Sequence, residues 1–226
     1  MKTPQLFGSL TLSAALALTP QICLSQSDEP TGQMSASTKL VQAGQKANLS
    51  WNVVYPDLPF DPPTGTTTED VTIYVRVFGV ALEGGSGEIP VSTRLKIGNR
   101  WHHIFAGKGA DVNPGQVLLT KDVDKGTKIE LGAEGSSWGE RSSNGQHVTV
   151  LKNGDTPPSY APAFDQGDVV SFLSGYIVNG KVSIGPKDVI YVAELYSESP
   201  GSYYYDMQDV VVHVRFEERT TYVPAD

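Results

Sequence analysis

Apolar and polar residues alternate with a period of two along much of this 226-residue chain, and that period leaves few folds open. Ala47, Leu49, Trp51, Val53 and Tyr55 alternate with Asn48, Ser50 and Asn52; Val71, Ile73, Val75 and Val77 alternate with Thr72, Tyr74 and Arg76. Successive side chains of a strand point to opposite faces, so each run predicts a strand with one face buried. The pattern returns at Val91, Thr93, Leu95 and Ile97, at Ile129 and Leu131, at Val148 and Val150, and at Val210, Val212, Val214 and Phe216. Turn formers such as Gly84-Gly85-Ser86-Gly87, Asn113-Pro114-Gly115, Asp124-Lys125-Gly126 and Asn153-Gly154-Asp155 separate the runs. Many short strands without helices between them predict an all-β chain, with two antiparallel sheets packed as a jelly-roll-like β-sandwich.

One helix is expected near residues 166–176. Asp165 or Asp168 is placed to cap it, and Val169, Phe172, Leu173 and Tyr176 fall on one face at helical spacing. About ten residues are too few for a separate core, so the helix should plug an end of the sandwich or cover a sheet edge. Asn179-Gly180 then predicts a two-residue hairpin turn between Ile177-Val178 and residues 181–184.

The N-terminus reads as an export signal, with Lys2, an apolar run from Leu6 to Leu18, and Cys23-Leu24-Ser25 before a cleavage point at Gln26. Ile22 and Pro20 stand where a lipid-anchoring signal wants a small residue and an aliphatic one. The expected organisation is a signal peptide over 1–25, a flexible Ser/Pro/Gly-rich segment over 26–38, a single β-sandwich domain over 39–218 and a tail over 219–226. Secretion or residence in the periplasm follows, with no membrane span, since no later run is long and apolar enough.

Cys23 is the only cysteine, so the mature chain is cysteine-free: it has no disulfide, no thiolate-held metal and no thiol nucleophile. Losing the leader removes Lys2 and no acid, which makes the mature chain more acidic than the −8 of the full sequence. An acidic surface repels phosphate, which argues against a nucleic-acid partner, while its carboxylates suit hard cations.

Several local patterns invite chemistry and weaken on inspection. Gly135-Ser136-Ser137-Trp138-Gly139 has the spacing of a serine nucleophile turn, but Glu140-Arg141-Ser142-Ser143 does not read as the helix those mechanics need. His102 and His103 are neighbours on a strand and should point to opposite faces; they, His147 and His213 read as surface histidines. Asp122, Asp124, Gly126 and Glu130 lack the ligand spacing of a calcium loop and read as a turn.

The last third carries more. Val189 to Leu195 is an apolar strand interrupted by Glu194, which shares a face with Ile190 and Val192, and a buried carboxylate needs a partner. Across the loop the chain returns as Asp206-Met207-Gln208-Asp209. Glu194, Asp206 and Asp209 would repel one another unless a cation lies between them, so they are the expected metal ligands. The loop also holds Tyr203-Tyr204-Tyr205, which with Trp138 are the expected ligand-binding residues, because tyrosines and tryptophans offer flat amphipathic surfaces to a sugar or a protein; the alternative is that the tyrosines fold back over the open end of the core.

This hairpin resembles the C-terminal signature of a group of secreted bacterial β domains, functionally unassigned and suspected of binding calcium. Glu194 matches the acid of their penultimate strand, and Asp206-Met207-Gln208-Asp209-Val210-Val211 matches their Asp-x-Asn-Asp-aliphatic-Val return. Leu195 and Gln208 depart from the pattern, in which a second acid and an asparagine stand. The resemblance implies a secreted domain with calcium ordering the hairpin, and adds no activity. The function expected is binding of carbohydrate or extracellular matrix through end loops. The alternatives are an extracellular hydrolase using paired carboxylates such as Glu194 and Asp209, or a structural protein of the cell surface. Oligomeric state is left open.

Overall fold

The structure, a computed structural model, describes residues 31–36, 49–136, 139–162 and 167–219. The leader, Trp138 and Ser137, Asp165 and the tail beyond 219 lie outside the described residues. Strands β1 (Thr31–Ala36) and β2 (Leu49–Val54) form an antiparallel pair. Two short strands, β3 (Phe60–Asp61) and β4 (Thr66–Thr67), make a small hairpin before the long strand β5 (Val71–Val80). A second small hairpin, β6 (Glu83–Gly84) with β7 (Gly87–Glu88), leads to β8 (Val91–Ile97) and β9 (Arg100–Gly107). Then follow β10 (Leu119–Val123), β11 (Ile129–Gly135), β12 (Ser142–Asn144) and β13 (Val148–Lys152). After the helix α1 (Val169–Phe172), β14 (Ile177–Val178) and β15 (Lys181–Val182) form a hairpin, and β16 (Asp188–Ala193) and β17 (Val210–Glu218) complete the chain.

Two antiparallel sheets dominate. One has the order β10-β5-β17-β16-β13, the other β12-β11-β8-β9. Their facing sides meet in a core that contains Val71, Ile73, Val75 and Val77 of β5 and Val210, Val212, Val214 and Phe216 of β17. Leu95, Leu131 and Ala133 close it from the four-stranded sheet. On β5, β8, β11 and β17 these are the alternating positions read from the sequence, and the chain is an all-β sandwich-like fold; the run through β2 departs from the reading, since Val53 is 44% exposed and Tyr55, just past the strand, is 63% exposed. A bulge keeps the pattern in phase: Val211 pairs with Gly79 but Val212 with Val77, so Phe78 is an extra residue in β5. It shifts the alternation by one and returns Val80 to the inner face beside Val77.

The five-stranded sheet is covered on its other side as well. Phe78, Leu151, Ile190, Val192 and Val211 pack there against Val169, Leu173, Val182, Tyr205 and Met207. Every residue of β16 is buried as a result, the pattern of a strand enclosed on both faces. The helix therefore covers a sheet face; it neither plugs an end nor shields an edge. It is also shorter than its apolar spacing suggested, a single α-turn continued by a 3-10 turn over Ser174–Tyr176. Asp168 caps it by accepting the Ser171 N–H at 2.8 Å. Phe172 lies so close over Gly79 that a Cβ there would come within 2.2 Å of the ring. Asn179 and Gly180 both take left-handed backbone (φ 52° and 73°), as the hairpin turn they were expected to form requires.

This second covered face corrects one reading. His213 is not a surface histidine: it is 5% exposed, its ring stacks on Phe78 at 4.9 Å, and its Nε2 lies 3.3 Å from Asp188 Oδ2. The helical layer over the sheet, which period-two alternation does not reveal, is what buries it. Among the described residues no helix is long and apolar enough to cross a membrane.

Candidate functional site

The structure brings Glu194, Asp206 and Asp209 together, in an arrangement unlike a cation site. Glu194 is 1% exposed and follows the last residue of β16. Its Oε1 accepts the N–H groups of Tyr196 (2.9 Å) and Ser197 (3.0 Å), and its Oε2 those of Asp206 (2.9 Å) and Met207 (3.1 Å). Four peptide dipoles thus converge on one carboxylate, which is how a protein solvates a buried anion without a counter-ion. Met207 takes left-handed backbone (φ 62°), a conformation that non-glycine residues hold only when the surroundings fix it. Here the turn aims two successive N–H groups at Glu194.

Asp209 lies against this cage. Its Oδ2 accepts the Leu195 N–H at 2.6 Å. Burial, and next the charge of Glu194, push its carboxyl well above the ordinary carboxylate range, and the hydrogen bond it shares with Glu194 acts in the same sense. The Leu195 amide opposes them. Asp206 accepts from the Gln208 side chain at 2.9 Å. The donors already on these oxygens do not fit a calcium ion, which takes six to eight oxygen ligands and no N–H groups. Among the described residues no group of three His, Cys, Asp or Glu side chains is placed to hold a metal. Gln208, buried where the resembling domains have asparagine, serves this same network.

The position of Glu194 gives the cage its consequence. Tyr196 and Ser197 open the loop between β16 and β17, and Asp206 and Met207 close it, so one side chain holds both ends. On the loop itself the tyrosines separate. Tyr203 is 63% exposed, and Tyr204 and Tyr196 are also exposed. Tyr204 lies between the other two, 4.7 Å from the Tyr196 ring and 5.3 Å from Tyr203. The Arg141 guanidinium sits over Tyr196 at 4.4 Å. Tyr205, by contrast, is a core residue. It packs beneath Tyr160 (5.1 Å, edge to face) and beside His147 (6.3 Å), and burial raises its phenol above the usual range. Its assignment as a ligand-binding residue is therefore corrected; Trp138 lies outside the described residues.

Sequence reading missed Tyr196, Tyr160 and Arg141. Tyr196 follows Leu195 at the strand end and was within reach of the argument made for its neighbours. Tyr160 and Arg141 come from segments far away in the chain, and nothing local signals their meeting with the loop. The remaining candidates are engaged elsewhere. Asp122, on β10, accepts from the Thr72 hydroxyl, and Arg219 bridges Asp124 (2.9 Å) and Asp70 (3.0 Å) at the surface; Asp124 and Gly126 lie in the turn between β10 and β11, and Glu130 is on β11. His102 pairs with Leu95 and His103 with Arg94, on alternate faces of β9. After Gly139, Glu140 and Arg141 the chain enters β12, so a strand stands where a nucleophile motif wants a helix.

The fold and this loop define a β-sandwich carrying a pinned aromatic loop at the turn between its last two strands. Comparison of the chain with family models, with curated proteins and with solved structures returns no match.

Proposed function

We propose that this protein is an exported, non-catalytic binding module that takes carbohydrate on the Tyr196, Tyr203 and Tyr204 surface. The observation that carries the reading is the combination of exposed, mutually packed tyrosines with a loop whose two ends are held by one buried carboxylate. Rings held in place before binding lose little freedom when a ligand arrives, and a tyrosine presents both an apolar face to sugar C–H groups and a hydroxyl to sugar oxygens. In this reading the four amides on Glu194 do for the loop what calcium was expected to do.

The hydrolase alternative has less support. Glu194 and Asp209 are both almost fully buried, and both oxygens of Glu194 are occupied by peptide N–H groups. A general acid or base must reach a substrate proton, and neither side chain is open to one.

A glycan array probed with the mature protein tests the proposal, with Tyr203→Ala and Tyr204→Ala as controls. Binding to a set of glycans that each variant weakens about three- to ten-fold is the expected result. Retention of full binding by the double variant, or no binding to any glycan, removes the reading. A hydrolase panel run beside the array is expected to show no turnover.

A further inference from the structure

A cleft of about 380 Å³ opens between the two sheets on the side where β11 and β13 face each other. The β3–β4 turn and the 144–146 crossover that leads from β12 into β13 also line it. It shares no residue with the tyrosine loop. Val148 and Val150 point into the intersheet space and pack on the core, yet both stay partly exposed, so apolar surface is left facing the cleft.

Tyr191 lines the same cleft. Its side chain is enclosed between the sheets, 2% exposed, and its hydroxyl has no hydrogen-bond partner. Buried hydroxyls are almost always paired, with protein or with water, so an unpaired one in the wall of a cavity points to a partner that the protein itself does not supply. At the rim, Lys128 Nζ lies 3.8 Å from Glu130 Oε2, so opposite charges offset and the cleft favours no ion of either sign. Gln146 adds an amide that both donates and accepts.

We propose that this cleft binds a neutral, hydroxyl-rich molecule, a single sugar ring or the end of a glycan chain. Sugar hydroxyls both donate and accept, as do the Tyr191 hydroxyl and the Gln146 amide, and Glu130 accepts. The C–H edges of a pyranose match Val148 and Val150. A hydrocarbon ligand would leave the Tyr191 hydroxyl unpaired, and an ion of either sign would meet a like charge in the Lys128–Glu130 pair. The volume lies within the range of small-ligand sites.

Methyl-resolved NMR of the whole chain, titrated with the methyl glycosides of glucose, galactose, mannose, xylose and N-acetylglucosamine and with corresponding disaccharides, tests this. Saturable shifts at the Ile129, Leu131, Val148 and Val150 methyls are expected with at least one probe. A response to disaccharides alone identifies a chain end, and a response to the monosaccharides identifies a single ring. Tyr191→Phe should weaken that probe about ten-fold while leaving the melting temperature unchanged or higher. Val150→Phe, which fills the cleft beside its cross-strand partner Tyr191, should abolish the shifts. Tyr203→Ala and Tyr204→Ala should leave them in place, whatever becomes of binding at the loop. If no probe shifts these methyls, the hydroxyl is an unsatisfied core group and the proposal fails, whatever the stability of Tyr191→Phe. Shifts that disappear in the tyrosine-loop variants would overturn it too.

Discussion

Oε2 of Glu194 lies 2.9 Å from the backbone nitrogen of Asp206, and this contact joins the end of one strand to the far end of the loop that follows it. Its partner oxygen holds the near end. Tying both feet closes the loop at its base, so the segment left to be ordered is the one between the tie points, residues 198–205. The aromatic surface above therefore depends on a residue that no ligand touches.

Glu194→Gln keeps the shape of this side chain and replaces one acceptor with an amide that faces N–H donors. Two peptide groups then lose their partner inside the protein, with an expected cost of about 3 kcal/mol, or roughly 10 °C in melting temperature for a chain of this size. Chemical denaturation measures the cost. Limited proteolysis should show new cleavage within 197–205, and a variant as stable and as resistant as the wild type would disprove the pinning role.

Asp209 sets a pH dependence whose sign follows from its environment. Burial and Glu194 raise its folded pKa above the unfolded value of about 3.9, so its favourable contribution is complete below that value. The contribution is lost as pH rises through the folded pKa, because the folded state then carries a charge that the unfolded chain accommodates at lower cost. Asp209→Asn mimics the protonated form, accepting from Leu195 and donating toward Glu194. Its melting temperature should vary less with rising pH and equal or exceed the wild type near neutrality. Parallel pH profiles for the two proteins would reject this account.

Calcium gives a direct contrast. A ligand that binds only the folded state at about 100 times its dissociation constant adds some 2.7 kcal/mol and raises the melting temperature by several degrees. With four N–H groups already on Glu194, millimolar calcium is expected to leave the melting curve of the chelator-treated protein where it was. A shift that disappears in Asp209→Asn would restore the cation reading and remove the amide-cage one.

The tyrosine triplet should divide under mutation. Tyr205→Ala removes a ring packed in the core against Tyr160 and should cost about 3 kcal/mol or more. Tyr203→Ala removes a mostly exposed ring and should change stability by less than about 0.5 kcal/mol. Equal effects at the two positions would mean that the loop folds differently from the arrangement described.

Gly79→Ala probes the packing of the helix. The added methyl meets the Phe172 ring, which must move, and overpacking of this kind costs roughly 1–3 kcal/mol. Near-UV circular dichroism should report the displaced Phe78–Tyr176 stack.

Sequence alone determined the strands, because burial of one strand face imposes a period of two that local reading recovers. Val71 to Val77 and Val210 to Phe216 lie where the alternation placed them. It also determined the Asn179-Gly180 turn, whose backbone angles depend on those two residues and not on distant ones. Glu194 was legible as a buried acid in need of a partner. What met it was not legible, since peptide N–H groups are common to every residue and leave no mark in a sequence. Only the tertiary structure decided that two strand ends and a left-handed turn at Met207 direct four of them onto one carboxylate. The same holds for His213, read as a surface residue and found enclosed, and for Tyr205, which the sequence left between a ligand platform and a fold back over the core: a second layer over the sheet buries both, and layers are set by packing between segments far apart in the chain.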